Sequence, residues 1–409
     1  MPAAVPYAPY APAEHAMSIL DLPATTDDIL LDCLPPSDIL RYSRTCRYAN
    51  TVVKSYMKRA FNLNKLLSRF FSPTEIQRFR ELQCSTGMLI SGSIALQFFE
   101  RVLYPDSDLD LYIEHRFSRQ VADWLVNIGY NYAPLPGQDN PQSLDEAFHR
   151  NPHNQTHIPR IAVLLKDIIF SVQKDYVTSP FVFNFEKQNP YRKIQLISSL
   201  LSPLQRILGF HSTCVMNIIT HDKAYSFYPR ATFDEHYSLV CRPDVEVDTL
   251  KKYKARGWSM FDLSDFPPLR VDMYSTFSLG RRYVGDPCCW TIPINSGLNL
   301  PHGYVESNSW VIKLRYRFGE EKVITKFDVL ATRRLKFSYI VDTADLNMEN
   351  EIRKFIGRSQ QTPNPQSARY LDEIVFRCMN KLRAESEYER LDTESEREIE
   401  YSDESESES

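Results

Sequence analysis

Between residues 72 and 220 the hydrophobic period switches repeatedly from helical to extended, and this constrains the fold more than any other feature of the chain. Ser72, Pro73 and Glu75 make a capping box with proline in the first helical turn, ahead of Ile76, Phe79 and Leu82 at helical spacing. Residues 88–90 then read as a short buried strand and 94–102 as a helix. In 109–113 Leu109, Leu111 and Ile113 alternate with Asp110 and Tyr112 as in a half-buried strand. Ser118 is expected to cap a helix through Trp124, Leu125 and Ile128, closed by Gly129. After a polar, proline-rich segment at 133–158, residues 161–165, 168–172 and 194–197 read as strands, and 204–219 as a helix with a break at Gly209. Strands alternating with helices over this length predict an α/β sheet domain.

The flanks differ in character. A chain of 409 residues with 43% hydrophobic residues is expected to form two or three units of mixed α+β class. Residues 1–17, with four prolines, read as a disordered leader, and 18–71 as a helical unit with Ile29, Leu30, Leu34, Ile39, Leu40, Val52, Val53 and Tyr56 on its apolar stripe. Residues 72–220 form the sheet domain, and 221–383 an α+β region. There 310–318 is a strand with Lys313, Arg315 and Arg317 on one face, turning through Gly319-Glu320-Glu321 into a hairpin partner at 322–329. Residues 384–409 are a low-complexity tail expected to stay disordered. The tail holds twelve acids against two arginines, a charge of −10 within a total of −4, which leaves the body at +6. That surplus is too thinly spread to select nucleic acid as a partner. Eight cysteines without a C-x-x-C pair argue against a zinc site or a disulfide framework, and hence for a cytoplasmic or nuclear protein. No secretory signal and no apolar run of membrane-spanning length is seen, so no membrane partner is expected.

Within the helical unit the order Leu22-Pro23, Ile29-Leu30, Leu34-Pro35, Asp38-Ile39-Leu40 and Cys46-Arg47 resembles an F-box over about forty residues. The resemblance implies docking on a Skp-type adaptor of a cullin ubiquitin ligase, while the rest of the chain presents an unknown protein target. Leu22, Pro23, Leu30, Leu34, Pro35, Ile39, Leu40 and Cys46 are the implied partner-binding residues. The physical counterpart is a three-helix unit too small to hide all its aliphatic side chains.

The carboxylates of the sheet domain pose a different question. Asp108 and Asp110 lie on one face about 6.5 Å apart by the strand rise. There they repel by roughly 2.5 kcal/mol at an effective dielectric near 20. Either the face is solvated or a cation sits between them. An EF-hand is excluded, because Leu111 stands where its loop needs glycine and Phe117 where it needs glutamate. A strand, Gly92-Ser93, a helix and then Asp108-Leu109-Asp110 resembles the nucleotidyltransferase superfamily. The resemblance implies that Gly92 and Ser93 face an NTP, and that Asp108 and Asp110 hold Mg²⁺ and act in catalysis. A third acid on a later strand is implied as well, and the matching position carries Gln195, a neutral amide. Asp167 and Asp175 are the acids nearby that could stand in.

Other candidates carry less. His149, His153 and His157 have helical ligand spacing broken by Pro152; His211-Ser212-Thr213-Cys214 begins a helical stretch without a third orienting group; Cys288-Cys289 reads as buried thiols. The expected function is an F-box-type substrate receptor whose nucleotidyltransferase-like domain is a degenerate binding module. The alternative is a Mg²⁺-dependent nucleotidyltransferase acting on an RNA, protein or small-molecule hydroxyl.

Overall fold

The computed structural model describes residues 24–105, 107–135, 140–150, 181–242, 245–261, 276–294, 297–298, 300–301, 303–317, 320–331, 335–342, 372–373 and 375–381. The chain divides into two compact units, Met1–Ala60 and Phe61–Ser409.

In the first unit α1 (Ala24–Asp32), α2 (Pro36–Ser43) and α3 (Arg47–Ala60) pack around Leu31, Ile39, Val53 and Tyr56. Pro36 starts α2, where its missing N–H costs nothing. Polar ties close the bundle: Tyr56 Oη donates to Asp32 Oδ1 at 2.5 Å, and Arg59 forks onto Asp28 at 2.5 and 2.9 Å. Three short helices cannot cover every aliphatic side chain. Ile29, Leu30, Leu40 and Tyr48 stay 66, 37, 42 and 43% exposed.

The second unit begins with α4 (Leu63–Leu67) and α5 (Pro73–Thr86), the latter held by the expected capping box at Ser72 and Glu75. There follow β1 (Leu89–Ser91), α6 (Gly92–Glu100), β2 (Leu109–Glu114), α7 (His115–Asn127), β3 (Asn131–Ala133), α8 (Leu144–Arg150), β4 (Phe181–Lys187) and β5 (Arg192–Ser199). Next come α9 (Pro203–Leu208), β6 (Asn217–Ile219), β7 (Lys223–Ser226), β8 (Tyr237–Leu239), α10 (Val247–Ala255), β9 (Ser259–Phe261), β10 (Gly280–Tyr283) and β11 (Trp290–Pro293). Last are β12 (Ser309–Arg317), β13 (Glu320–Lys326), β14 (Asp328–Leu330) and β15 (Tyr339–Val341).

Eight strands form one mixed sheet in the order β11-β7-β6-β1-β2-β5-β4-β3, in which β2 and β5 run parallel and the other neighbours antiparallel. The boundary expected at 220 falls inside this sheet, because β7 and β11 extend it beyond β6. One core accordingly joins Leu89, Leu204 and Ile218 to Tyr225, Trp310, Ile312 and Ile340. The boundary expected at 71 also shifts: Phe71 packs on Phe79 at 5.0 Å and Tyr130 Oη donates to the Phe70 carbonyl, so both belong to the second unit. The hairpin of β12 and β13 forms as the alternation predicted, with Leu314 opposite Val323.

Two local expectations need correction. The helix expected over 204–219 stops at Leu208, and after a 3-10 turn at Thr213–Val215 the chain enters β6. Ile218 and Ile219 are buried between strands on both sides, and so short an apolar run has no period that separates strand from helix. Ser118 does not cap a helix either; it lies inside α7, its hydroxyl donating to the His115 carbonyl at 2.6 Å. The segment at 133–158 holds α8, and the runs expected at 161–165 and 168–172 lie outside the described residues.

Two features fix the strands that carry the carboxylates. Glu114, buried at the end of β2, pairs with Arg116 at 2.6 Å and accepts from the Ser338 N–H at 2.5 Å. Gly87 ends α5 with φ +68°, and a Cβ there would overlap the rings of Tyr304 and Phe337. Gly87→Ala is expected to lower the unfolding free energy by roughly 2–3 kcal/mol through left-handed strain and displaced rings. Urea titration checks this as a reduced midpoint at unchanged slope.

Candidate functional site

The geometry of the carboxylate face follows from three strand registers. Antiparallel pairing of β1 with β2 sets Ser91 opposite Asp110, so the chain leaves β1 and enters α6 directly beside the acid. Gly92 makes that turn at φ +67°, and a Cβ built on it would overlap the Asp110 carboxylate. Ser91 anchors the turn from behind, its hydroxyl donating to the Asn217 carbonyl at 2.6 Å. Gly92 and Ser93 thus form the first turn of a nine-residue helix whose N-terminal end faces a carboxylate.

Parallel pairing of β2 with β5 places Gln195 alongside Asp110, and antiparallel pairing of β5 with β4 places Asn184 beyond it. Side chains two apart on a strand share a face, so Lys193 lies on the same face as Gln195. Lys193 Nζ donates to Asp108 Oδ2 at 3.0 Å, with 27 and 32% of the two side chains exposed. Gln195 Nε2 donates to Asn184 Oδ1 at 3.2 Å; with both amides turned over, Gln195 Nε2 meets Asp110 Oδ1 at 3.2 Å and its Oε1 accepts from Lys193 Nζ at 3.3 Å, which matches donors to acceptors throughout. Asp108, Asp110, Lys193, Gln195 and Asn184 therefore form one connected polar patch.

Helix α10 contributes the other wall. Burial of Asp110, then the charge of Asp108, pushes its carboxyl up to about 7 against the opposing pull of Lys252 and Lys193. Burial holds the Lys252 ammonium below its ordinary value, with the nearby Arg256 guanidinium acting in the same direction. Tyr253 is buried, its phenol pushed up to about 12, with Ser93 and Asp110 among the groups it senses. The Arg256 guanidinium stacks 3.9 Å from the Tyr104 ring centroid. The patch thus sits between a helix N-terminus and a basic helix face.

The donor set does not suit a divalent cation. Magnesium requires several oxygen ligands at short range. Here Asp108 is already paired with an ammonium, and beside Asp110 the neighbouring strand supplies a neutral amide rather than a carboxylate. Among the described residues no group of three or more His, Cys, Asp or Glu side chains is placed to hold a metal ion. Asp167 and Asp175 lie outside the described residues.

Of the sequence candidates, Gly92, Ser93, Asp108, Asp110 and Gln195 lie at one face of the sheet. Lys193, Asn184, Lys252, Tyr253 and Arg256 were not among them. Lys193 alone had a signal, since it stands two residues before Gln195 in the same strand pattern. The implied adaptor residues divide by exposure: Leu30, Leu40 and Cys46 are exposed, Leu34 and Pro35 half-buried, Ile39 buried in the helical core, while Leu22 and Pro23 lie outside the described residues.

The weaker candidates separate. His149 ends α8, and His153 and His157 lie outside the described residues. Cys214 is buried with its thiol pushed up to about 11, and burial, with Asp286 adding to it against the opposing pull of Arg282, brings Cys289 to about 12, so neither is a ready nucleophile. All eight cysteines are free. Lys313, Arg315 and Arg317 lie on β12, but their side chains are outside the described residues. Among the described residues no helix is long and apolar enough to cross a membrane. Comparison with protein-family models, with curated proteins and with solved structures returned no match for this chain.

Asp110 gives a pH test. An acid whose folded pKa of about 7 exceeds an unfolded value near ~3.9 binds more protons when folded, so its contribution to stability is present below about pH 4 and lost as pH rises to 7. Asp110→Asn is expected to raise the melting temperature relative to wild type at pH 8, by a smaller margin at pH 5, and hardly at all below about pH 4. Melting curves across that range check it.

Proposed function

We propose that this chain is an F-box-type substrate receptor of a cullin ubiquitin ligase. The helical unit docks a Skp-type adaptor, and the sheet domain is a nucleotidyltransferase-like module that binds a protein target without turning over a nucleotide. The observation that carries the proposal is the apolar surface left on the three-helix unit, where Ile29, Leu30, Leu40 and Tyr48 are exposed beside a core that is already complete. Such a surface on so small a bundle suits an obligate partner better than water. Ile29, Leu30 and Leu40 also belong to the sequence order that resembles an F-box.

The non-catalytic assignment of the sheet domain is supported by its polar face. Nucleotidyl transfer relies on divalent ions to bridge phosphates and to activate the attacking hydroxyl. A neutral amide beside Asp110 and an ammonium on Asp108 supply neither a ligand set nor a base. Free thiols accord with a cytoplasmic or nuclear setting.

A second reading, a Mg²⁺-dependent nucleotidyltransferase, draws on the close approach of Gly92 to Asp110 at the start of α6. One pair of experiments separates the two. Immobilised Skp-type adaptor should capture the wild-type chain and bind the Leu30→Ala/Leu40→Ala variant at least tenfold more weakly, with unchanged circular dichroism because both side chains are exposed. Incubation with Mg²⁺ and labelled NTPs should transfer no label. Equal capture of variant and wild type refutes the receptor; label transfer abolished by Asp108→Ala/Asp110→Ala establishes the enzyme.

A further inference from the structure

The two carboxylates raise a question of charge balance that the sheet itself answers. Two acids one residue apart on a sheet face need either water or a cation. Asp108 meets an ammonium at 3.0 Å, and that ammonium is built into the next strand of the sheet rather than borrowed from solvent. Its position is not accidental to a flexible side chain. Leu109 is registered with Ile194 in the parallel β2–β5 pair, which sets Lys193 at the level of Asp108 and Gln195 at the level of Asp110.

Gln195 completes the arrangement. With the Gln195 and Asn184 amides turned so that donors meet acceptors, the Gln195 oxygen accepts from Lys193 and its nitrogen donates to Asp110, so one amide joins the lysine to the second acid. Turning that amide to offer its oxygen to an ion beside Asp110 would set the nitrogen, a donor, against the lysine ammonium, also a donor. Replacing Gln195 alone would leave the ammonium in place, and replacing Lys193 alone would leave the third ligand missing.

We infer that the Lys193 ammonium is the resident counter-cation of the Asp108/Asp110 face, so that this face takes no divalent ion and becomes a divalent site only when Lys193 and Gln195 are both replaced. The inference deepens the non-catalytic part of the proposed function and rests on that part alone, independent of adaptor docking. It assigns Lys193 and Gln195 a joint positioning role: the lysine supplies the charge and the glutamine orients it. The ion pair itself is partly exposed, so it contributes little to stability, and its effect lies in the exclusion of a competing cation.

The test titrates Mn²⁺ into the full chain at pH 7.5 and reads free Mn²⁺ by electron paramagnetic resonance. Wild type should bind no more Mn²⁺ than its Asp108→Asn variant, the acids of residues 384–409 contributing equally to both. Lys193→Ala/Gln195→Asp should bind about one Mn²⁺ per chain at least tenfold more tightly than wild type, and adding Asp108→Asn should abolish that binding. Lys193→Ala alone and Gln195→Asp alone should each fall well short of the double variant. Thermal melting and circular dichroism confirm folding of every variant. Stoichiometric Mn²⁺ binding by wild type that Asp108→Asn removes overturns the inference whether or not the double variant folds. So does a folded double variant that binds no Mn²⁺. Adaptor capture measured on the same preparations keeps the readings apart, since its loss refutes the receptor while leaving the Mn²⁺ result unaffected.

Discussion

The parallel pairing of β2 with β5 is the constraint on which the rest of the sheet domain depends. It is the one parallel contact in an eight-stranded sheet, and a parallel contact needs a long crossover, which this chain makes through α7, β3, α8 and β4. In a parallel pair residues at the same register share a face, so the alignment that brings Leu109 to Ile194 also brings an acid to an amide. Antiparallel neighbours on either side add the Gly92 turn from β1 and Asn184 from β4. Slipping any of these strands by one residue would turn every polar side chain of the face into the core. The buried Glu114 opposes such a slip, because it binds the end of β2 to the backbone at Ser338.

The face built in this way is electrostatically self-sufficient. Lys193 and Gln195 lie beside the two carboxylates, Lys252 adds a second positive charge nearby, and burial raises the Asp110 carboxyl to about 7. The basic side of α10 lies close by, with Lys252 and Arg256 near enough for their charges to repel. A surface of mixed sign, with its internal partners already matched, is better suited to contacting a folded target than to gripping a metal-bound polyphosphate. This is the physical link between the site and the receptor reading.

How much of this was legible in the sequence depends on the range of the interaction concerned. Local signals carried through: Ser72 and Glu75 form the capping box, Leu109 to Ile113 lie in a strand, and Gln195 lies in the strand expected at 194–197. Signals that rest on distant pairing did not. β7 finds its outer neighbour β11 more than sixty residues later, so nothing near residue 220 announces that the sheet continues. Ile218 and Ile219 followed a helical run and were absorbed into it, because two buried residues carry no period of their own. Lys193 stands in the same strand pattern as Gln195, but only the β2–β5 register brings it to Asp108. Ile39 matched the F-box order, yet burial in the helical core distinguishes it from Leu30 and Leu40, a difference that spacing alone does not express.

The fit between Gly92 and Asp110 carries a further implication for heredity. A carboxylate oxygen occupies the space that any β-carbon at position 92 would need, and the backbone there is left-handed. The two residues are therefore steric dependants of each other, and a lineage can change one freely only after shrinking or moving the other. A change at either position thus appears at the other as a packing defect, whatever chemistry the face performs.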